Sequence, residues 1–316
     1  MLPSLAGIFA AQKLLARYVD ATPCSRSIKL SEEFAADIWI KDETVSPIRC
    51  FKHRGALVDL VRVSRLKVIS TAVTSSTGNH GLGVTYAANK LGVGAHIFLP
   101  EGASRVKREG INSLGGIVHS IGADIDEAKT EARLFGQQAG HTFVDDGESL
   151  GVIEGAATIG LELVQRLDDL DFVFIPMGSG SLGSGCACAI KAISPKTRVI
   201  CVQSSGAPAM AESFRQRQAV EVPINTIADG LVCREPAELA LRSLLTFVDD
   251  VEVVDDEQIL SAVSDLAETC GLLVEPSGAA ALAAMRKRHK EIIGSRVVLV
   301  MTGANISSET LELLSP

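Results

Sequence analysis

The sequence predicts an α/β protein of two lobes, in which parallel sheets are covered by helices. Three observations carry this. Strand-like runs alternate with helix-like segments through most of the chain, runs such as Phe172 to Pro176 are apolar throughout, and Gly/Ser/Thr-rich turns sit between a strand and the helix that follows. With 316 residues and 47% apolar content, the chain can bury a large core. Two lobes fit better than one long sheet: a large one from residues 1–70 and 148–316, and a small one from 71–147.

In order, Met1 to Ala16 reads as an amphipathic helix, and Asp20-Ala21-Thr22-Pro23 breaks it. Asp37 to Glu43 alternates as a strand before Pro47. Apolar Ala56, Leu57, Leu60 and Val61 make His53 to Arg65 a helix, followed by a strand over Lys67 to Val73. The small lobe then alternates helix 81–91, strand 95–99, helix 103–114, strand 116–120, helix 125–139 and strand 142–144. A second set follows, with helix 152–167, strand 172–176, helix 182–193 and strand 198–203. The remainder supplies helices 236–245, 257–270 and 277–289 and a buried strand, Arg296 to Met301. The acidic cluster Asp249, Asp250, Asp255, Asp256, Glu257 reads as a solvated edge, with Asp255 or Asp256 capping the next helix.

Composition excludes several classes. Net charge is −8 and aromatics are 4%, so neither a phosphate-tracking stripe nor stacking platforms for nucleic acid are expected. Apolar runs such as Val297 to Met301 fall far short of the roughly eighteen residues of a membrane span. The N-terminal helix lacks a basic leader region, and Gln12 and Lys13 interrupt it, so it does not read as a signal peptide. Seven cysteines without C-x-x-C spacing suggest free thiols in a cytoplasmic compartment. Cys186 and Cys188 point to different helix faces and read as packing residues.

Five motifs stand out beside a lysine, Lys52, that follows Phe51 at a helix mouth. A lysine alone would be a solvated cation. Ser75-Ser76-Thr77-Gly78-Asn79-His80-Gly81 joins a strand to a helix and offers amides and hydroxyls to an anion such as a carboxylate; by itself it is also an ordinary capping turn. Met177-Gly178-Ser179-Gly180-Ser181-Leu182-Gly183-Ser184-Gly185 lies flush between a core strand and a helix of small residues, where backbone N–H groups can converge on a phosphate. It is neither a Walker loop nor a Rossmann fingerprint. Ala228-Asp229-Gly230, Glu275-Pro276-Ser277 and Thr302-Gly303-Ala304-Asn305 complete the set, the last at the end of a strand, where open α/β sheets bind ligands.

In this order and spacing, from about Thr22 onward, these motifs resemble those of the serine/threonine dehydratase and serine racemase group. These are fold-type II pyridoxal-phosphate (PLP) enzymes of tryptophan synthase β-like architecture. The resemblance implies that Lys52 carries the cofactor as a Schiff base, with Phe51 packed on the ring. Asn79 would hold the ring hydroxyl oxygen, Gly178, Ser179, Gly180, Ser181 and Leu182 the phosphate, and Thr302 the pyridine nitrogen. Ser76, Thr77, Gly78 and His80 would receive the substrate carboxylate, and Gly230 and Glu275 would line the site.

It also implies a small amino-acid substrate, a homodimer, and β-elimination from L-threonine, L-serine or a related 3-hydroxy amino acid, giving a 2-oxo acid and ammonia. Lys52 would take the α-proton, as an amine desolvated toward neutrality can. A neutral Thr302 at the ring nitrogen would shorten carbanion lifetime and favour loss of the β-substituent. Thr77 stands where serine racemases present the serine that serves the opposite face of the α-carbon. A racemase, or a PLP-binding regulatory protein without turnover, are the alternatives.

The chain departs from the pattern at Cys50, His53, Ala304 and the two serines of the phosphate loop. Gln203 to Ala209 lacks the acidic residues with which serine racemases bind a divalent ion, so no metal is expected. The sequence stops about ten residues after Asn305, so the C-terminal regulatory domain of biosynthetic threonine dehydratases is not expected either.

Overall fold

A computed structural model describes residues 1–314. Its ten strands are β1 Cys24–Arg26, β2 Asp37–Asp42, β3 Thr71–Ser75, β4 Gly94–Leu99, β5 Ile117–Ser120, β6 His141–Phe143, β7 Phe172–Pro176, β8 Arg198–Ser204, β9 Asp250–Val254 and β10 Arg296–Met301. They form two sheets, one ordered β1-β2-β10-β7-β8-β9 and one ordered β5-β4-β3-β6. Among the described residues only β1 pairs antiparallel, with β2; every other neighbouring pair in both sheets is parallel.

The parallel arrangement explains the continuous apolar runs. All five residues of β7 are buried, and so are five of the six in β10, because helices cover both faces of the large sheet. On one face lies helix Pro276–Lys287, whose first ten residues are buried; its run of alanines lets it lie close against the strands. On the other lies helix Ser181–Ile193. Within that helix Cys186 packs beside Leu163 and Cys201, whereas Cys188 packs beside Ile8. The seven cysteines are free.

Several elements differ from the sequence expectation. The strand expected from Lys67 begins at Thr71, because its register is set by pairing of Thr71 with Gly94 and with His141. Val68, outside that register, is exposed. The helix expected over 152–167 is two, Leu150–Ala156 and Thr158–Arg166. Ala157 between them keeps right-handed helical angles (φ −59°, ψ −21°), so the junction is an offset and not a loop. Helices Ile28–Phe34 and Ala209–Gln216 and strands β1 and β9 were not expected. Strand β9 is the edge of the large sheet and lies inside the acidic cluster; Asp255 caps the following helix through a capping box with Gln258.

The motif residues gather beyond the carboxyl ends of strands. Thr302 follows β10, the glycine-serine loop follows β7, and Ser76 follows β3. Among the described residues, no helix is long and apolar enough to cross a membrane.

Candidate active site

The lysine segment is tied to the end of β10 by main-chain bonds. Phe51 N donates to Thr302 O (3.1 Å), Ala304 N donates to Arg49 O (2.8 Å), and Cys50 bridges Gly303. Lys52 therefore opens helix Lys52–Ser64 beside Thr302, with its Nζ 4.9 Å from the Phe51 ring centroid.

Arg54, two residues on, anchors this helix from below. Its Nε and Nη2 donate to Glu43 (2.9 and 3.0 Å) and its Nη1 to Glu162 Oε1 (2.5 Å) and Thr158 (3.0 Å). Lys41 Nζ reaches Glu162 Oε2 (2.5 Å) and the Thr22 carbonyl (2.7 Å). Burial alone would raise the Glu43 carboxyl, but the charges of Arg54 and Lys41 hold it below its usual range. Two departures from the family pattern point into the core. His53 bonds the Cys50 carbonyl through Nδ1 (3.0 Å), and burial, followed by the charge of Arg54, lowers it to about 4. The Cys50 thiol is fully buried and pushed up to about 12, first by that burial and next by the charge of Glu275.

The turn from β3 into helix Asn79–Leu91 is organised by Ser76. Its Oγ accepts from Gly78 N (2.8 Å) and Gly81 N (3.0 Å). Gly78 has φ +149°, and a Cβ there would lie 2.2 Å from Lys107 Cδ. Thr77 Oγ1 donates to the Asp229 carbonyl (3.3 Å), so its hydroxyl is turned onto backbone. Asn79 is clamped from both ends: its Nδ2 donates to Glu275 Oε1 (2.6 Å), and its Oδ1 accepts from Asn305 Nδ2 (2.9 Å). Glu275 heads helix Pro276–Lys287 without capping it. Its other oxygen is 3.2 Å from Lys107 Nζ, which also pairs with Asp229 at 2.6 Å. Gly230 N donates to Ser277 Oγ (2.8 Å).

The loop after β7 turns at Gly180, which has φ +94°; a Cβ there would meet Met210 Cε at 2.4 Å. Gly178, Ser179, Gly180, Ser181 and Leu182 share a pocket with Phe51, Lys52, Gly230 and Thr302. A contiguous cavity is lined by Ser76, Thr77, Asn79, His80, Asp146, Glu275 and Thr302, again with Phe51 and Lys52. Fourteen of the fifteen residues singled out in the sequence thus line at least one of the two spaces, Gly78 being the exception. Neither space is lined by Cys50 or His53.

Three residues had no role in the sequence reading. Asp146 lies 2.5 Å from Lys52 Nζ, Lys107 supports Glu275, and Asn305 orients Asn79. Burial alone would raise the Asp146 carboxyl; the adjacent Lys52, with His80 and Ser179, holds it well below the usual carboxylate range. Among the described residues, no group of His, Cys, Asp and Glu is placed to hold a metal ion.

Comparison with known proteins agrees with this geometry. A family model described as pyridoxal-phosphate dependent enzyme matches residues 15–303. The chain is 33% identical over 297 residues to the biosynthetic L-threonine dehydratase of Pasteurella multocida, covering 93% of this chain and 58% of that protein. To the L-threonine ammonia-lyase of Geobacter sulfurreducens it is 33% identical over 305 residues, covering 96% and 76%. The structure of maize serine racemase matches with a TM-score of 0.92 at 30% identity, covering 99% of this chain and 97% of that one. The chain spans 58 to 61% of the length of the first biosynthetic dehydratases it matches. A lysine, a clamped asparagine, a strand-end threonine and a glycine-serine loop around one cavity, with a family match across nearly the whole chain, place this protein in the family of pyridoxal-phosphate dependent enzymes.

Proposed function

We propose that this chain is a PLP-dependent ammonia-lyase that eliminates the β-hydroxyl of L-threonine, L-serine or a related 3-hydroxy amino acid, releasing a 2-oxo acid and ammonia. The observation that carries the reading is the convergence of Lys52, Phe51, Asn79, Thr302 and the 178–182 loop on one cavity. The residues fit the cofactor. The cradle at Gly180 is one that a Cβ would fill, the loop itself contains no bulky polar side chain, and a primary amine stands at its mouth. Lys52 would hold PLP covalently, Phe51 would flank the ring, and Asn79 and Thr302 would meet its hydroxyl oxygen and ring nitrogen.

When bound, PLP supplies an electron sink for the bond broken at the substrate α-carbon. The chain does the rest. Lys52 Nζ takes the α-proton, and the Phe51 ring shields that amine from water. The two bonds that Ser76 Oγ accepts leave its own O–H free to donate to the substrate carboxylate. Thr77 and Gly78 shape the same turn, and the His80 ring sits on the Asp146 side of the cavity. Thr302 offers a neutral hydroxyl, which forms no charge pair with a protonated ring nitrogen and so favours early departure of the β-substituent. The hydroxyl leaves as water, and water returns in releasing ammonia, so the net products are the 2-oxo acid and ammonia.

The free thiols support a reducing compartment such as the cytoplasm, a homodimer is the proposed assembly, and residues 71–147 the proposed small domain. The test is a panel of L-amino acids incubated with the PLP-loaded protein. Equal amounts of 2-oxo acid and ammonia are expected from at least one 3-hydroxy amino acid, lost in Lys52→Ala, with borohydride marking Lys52. A mark on another lysine, or no 2-oxo acid from any member, overturns the reading.

A further inference from the structure

Side-chain donors at the glycine-serine loop and its mouth already serve a carboxylate. Asp146 Oδ2 receives Lys52 Nζ at 2.5 Å and Ser179 Oγ at 2.9 Å, and its Oδ1 receives Ser181 Oγ at 3.4 Å. His80 Nδ1 lies 3.5 Å from the same Oδ1. The other ring nitrogen, Nε2, is 3.2 Å from the Val144 carbonyl, which fixes the proton of the neutral ring there. Nδ1 is thereby left as a lone pair facing a carboxylate, a buried atom without a hydrogen-bond partner. Burial, against the pull of the Asp146 charge, lowers the pKa of the imidazole, so it offers little charge to offset a second anion. Residues 178–182 include no Lys or Arg.

An ionised carboxylate and a phosphate monoester cannot share two hydroxyls and one ammonium at this range without strong repulsion in a partly buried site. Asp146 lines the open cavity. It is the more exposed member of its pair, with 24% of its side chain accessible, whereas Asp145 beside it is buried and fixed by Lys129 (3.0 Å) and Arg133 (3.1 Å).

We propose that Asp146 is a placeholder for the cofactor phosphate: in the cofactor-free chain its carboxylate holds Lys52, Ser179 and Ser181 in place, and it must withdraw from the loop when a phosphate monoester enters. The inference rests on the reading of the 178–182 loop as the phosphate site. Its consequence is that Asp146 lowers cofactor affinity while ordering Lys52, Ser179 and Ser181.

The test uses protein resolved from its cofactor and shown to recover when PLP is restored. It is titrated with pyridoxine 5′-phosphate, which lacks the aldehyde and cannot bond to Lys52, and with pyridoxine, which also lacks the phosphate. Asp146→Asn keeps the shape and an acceptor for the serines but removes the charge. It is expected to bind pyridoxine 5′-phosphate about ten-fold more tightly than the parent, with pyridoxine changed by less than about two-fold. Asp146→Ser, a second variant without the charge, is expected to shift in the same direction.

Unchanged or weaker binding of the phosphate compound in both variants overturns the proposal, as does an equal gain for both compounds. Gly180→Val separates this failure from failure of the loop reading. If it leaves pyridoxine 5′-phosphate affinity unchanged, the phosphate does not sit in the loop, and both readings fall together. If it weakens binding while the Asp146 variants gain nothing, only the placeholder falls.

Discussion

Glu275 Oε1 accepts a hydrogen bond from Asn79 Nδ2 at 2.6 Å, joining the head of one helix to the head of another across 196 residues of sequence. Burial raises the Glu275 carboxyl, against the pull of the Lys107 charge. Removing this side chain leaves the Asn79 amide without its acceptor and Lys107 with Asp229 alone. Glu275→Ala is expected to lose about 3 to 5 kcal/mol of stability by urea denaturation. Cofactor retention should fall with it, and Glu275→Gln should lose less on both counts.

Arg54 is fully buried, and its fork spans Glu43 and Glu162. Arg54→Ala leaves two carboxylates in the interior with Lys41 as their one remaining cation, so a loss of about 3 to 5 kcal/mol is expected. Lys41→Met/Arg54→Met/Glu43→Leu/Glu162→Leu, which removes all four charges of the cluster together, should recover most of that loss. Equal destabilisation of the two variants in urea melts would show that packing, and not charge pairing, sets the cost.

His53 links stability to pH. Its folded value is lowered from 6.5 to about 4, chiefly by burial, so the unfolded chain takes up this proton first as pH falls. The stabilising contribution is therefore present above pH 6.5 and is lost as the pH drops through about 4. The gap of about 2.5 pH units corresponds to about 3 kcal/mol. Urea midpoints measured between pH 7 and 4 should fall for the parent and fall less for His53→Gln.

Thr77 bears on racemisation. Its hydroxyl donates to the Asp229 carbonyl at 3.3 Å, and its β-branch limits rotation away from that acceptor. Thr77→Ser frees the rotor and is expected to raise the ratio of D-serine to pyruvate formed from L-serine. A ratio that is unchanged or lower counts against a constraint imposed by the methyl group.

The residues legible in the sequence are those whose chemistry is local. Lys52, the Ser76 turn and the Gly180 turn sit directly at strand or helix ends, and an anion-binding turn or a positive-φ glycine announces itself within a few residues. Asp146 does not. Within Val144-Asp145-Asp146-Gly147 it reads as a turn residue, and it acquires meaning only because β6 ends opposite a lysine 94 residues away. Lys107 is hidden in the same way: Arg105-Val106-Lys107-Arg108-Glu109 looks like a solvated face, yet the fold turns this one lysine inward onto Asp229 and Glu275. Strand β9 was masked by charge, since an edge strand keeps one side in water and tolerates carboxylates at alternate positions.

The placement of β10 between β2 and β7 has a consequence for biosynthesis. Residues 296–301 are among the last of the described chain to leave the ribosome, and until they do, β2 and β7 have no partner on their facing edges. The large sheet is therefore two fragments until residues 296–301 have been made, each with an open parallel edge of the kind that recruits foreign strands. Lys52 waits as well, because the main-chain bonds that station it run to Thr302 and Gly303. The nascent protein thus becomes competent for its cofactor only after residues 296–303 have emerged, and shielding of those two edges until then is a requirement that its topology places on the cell.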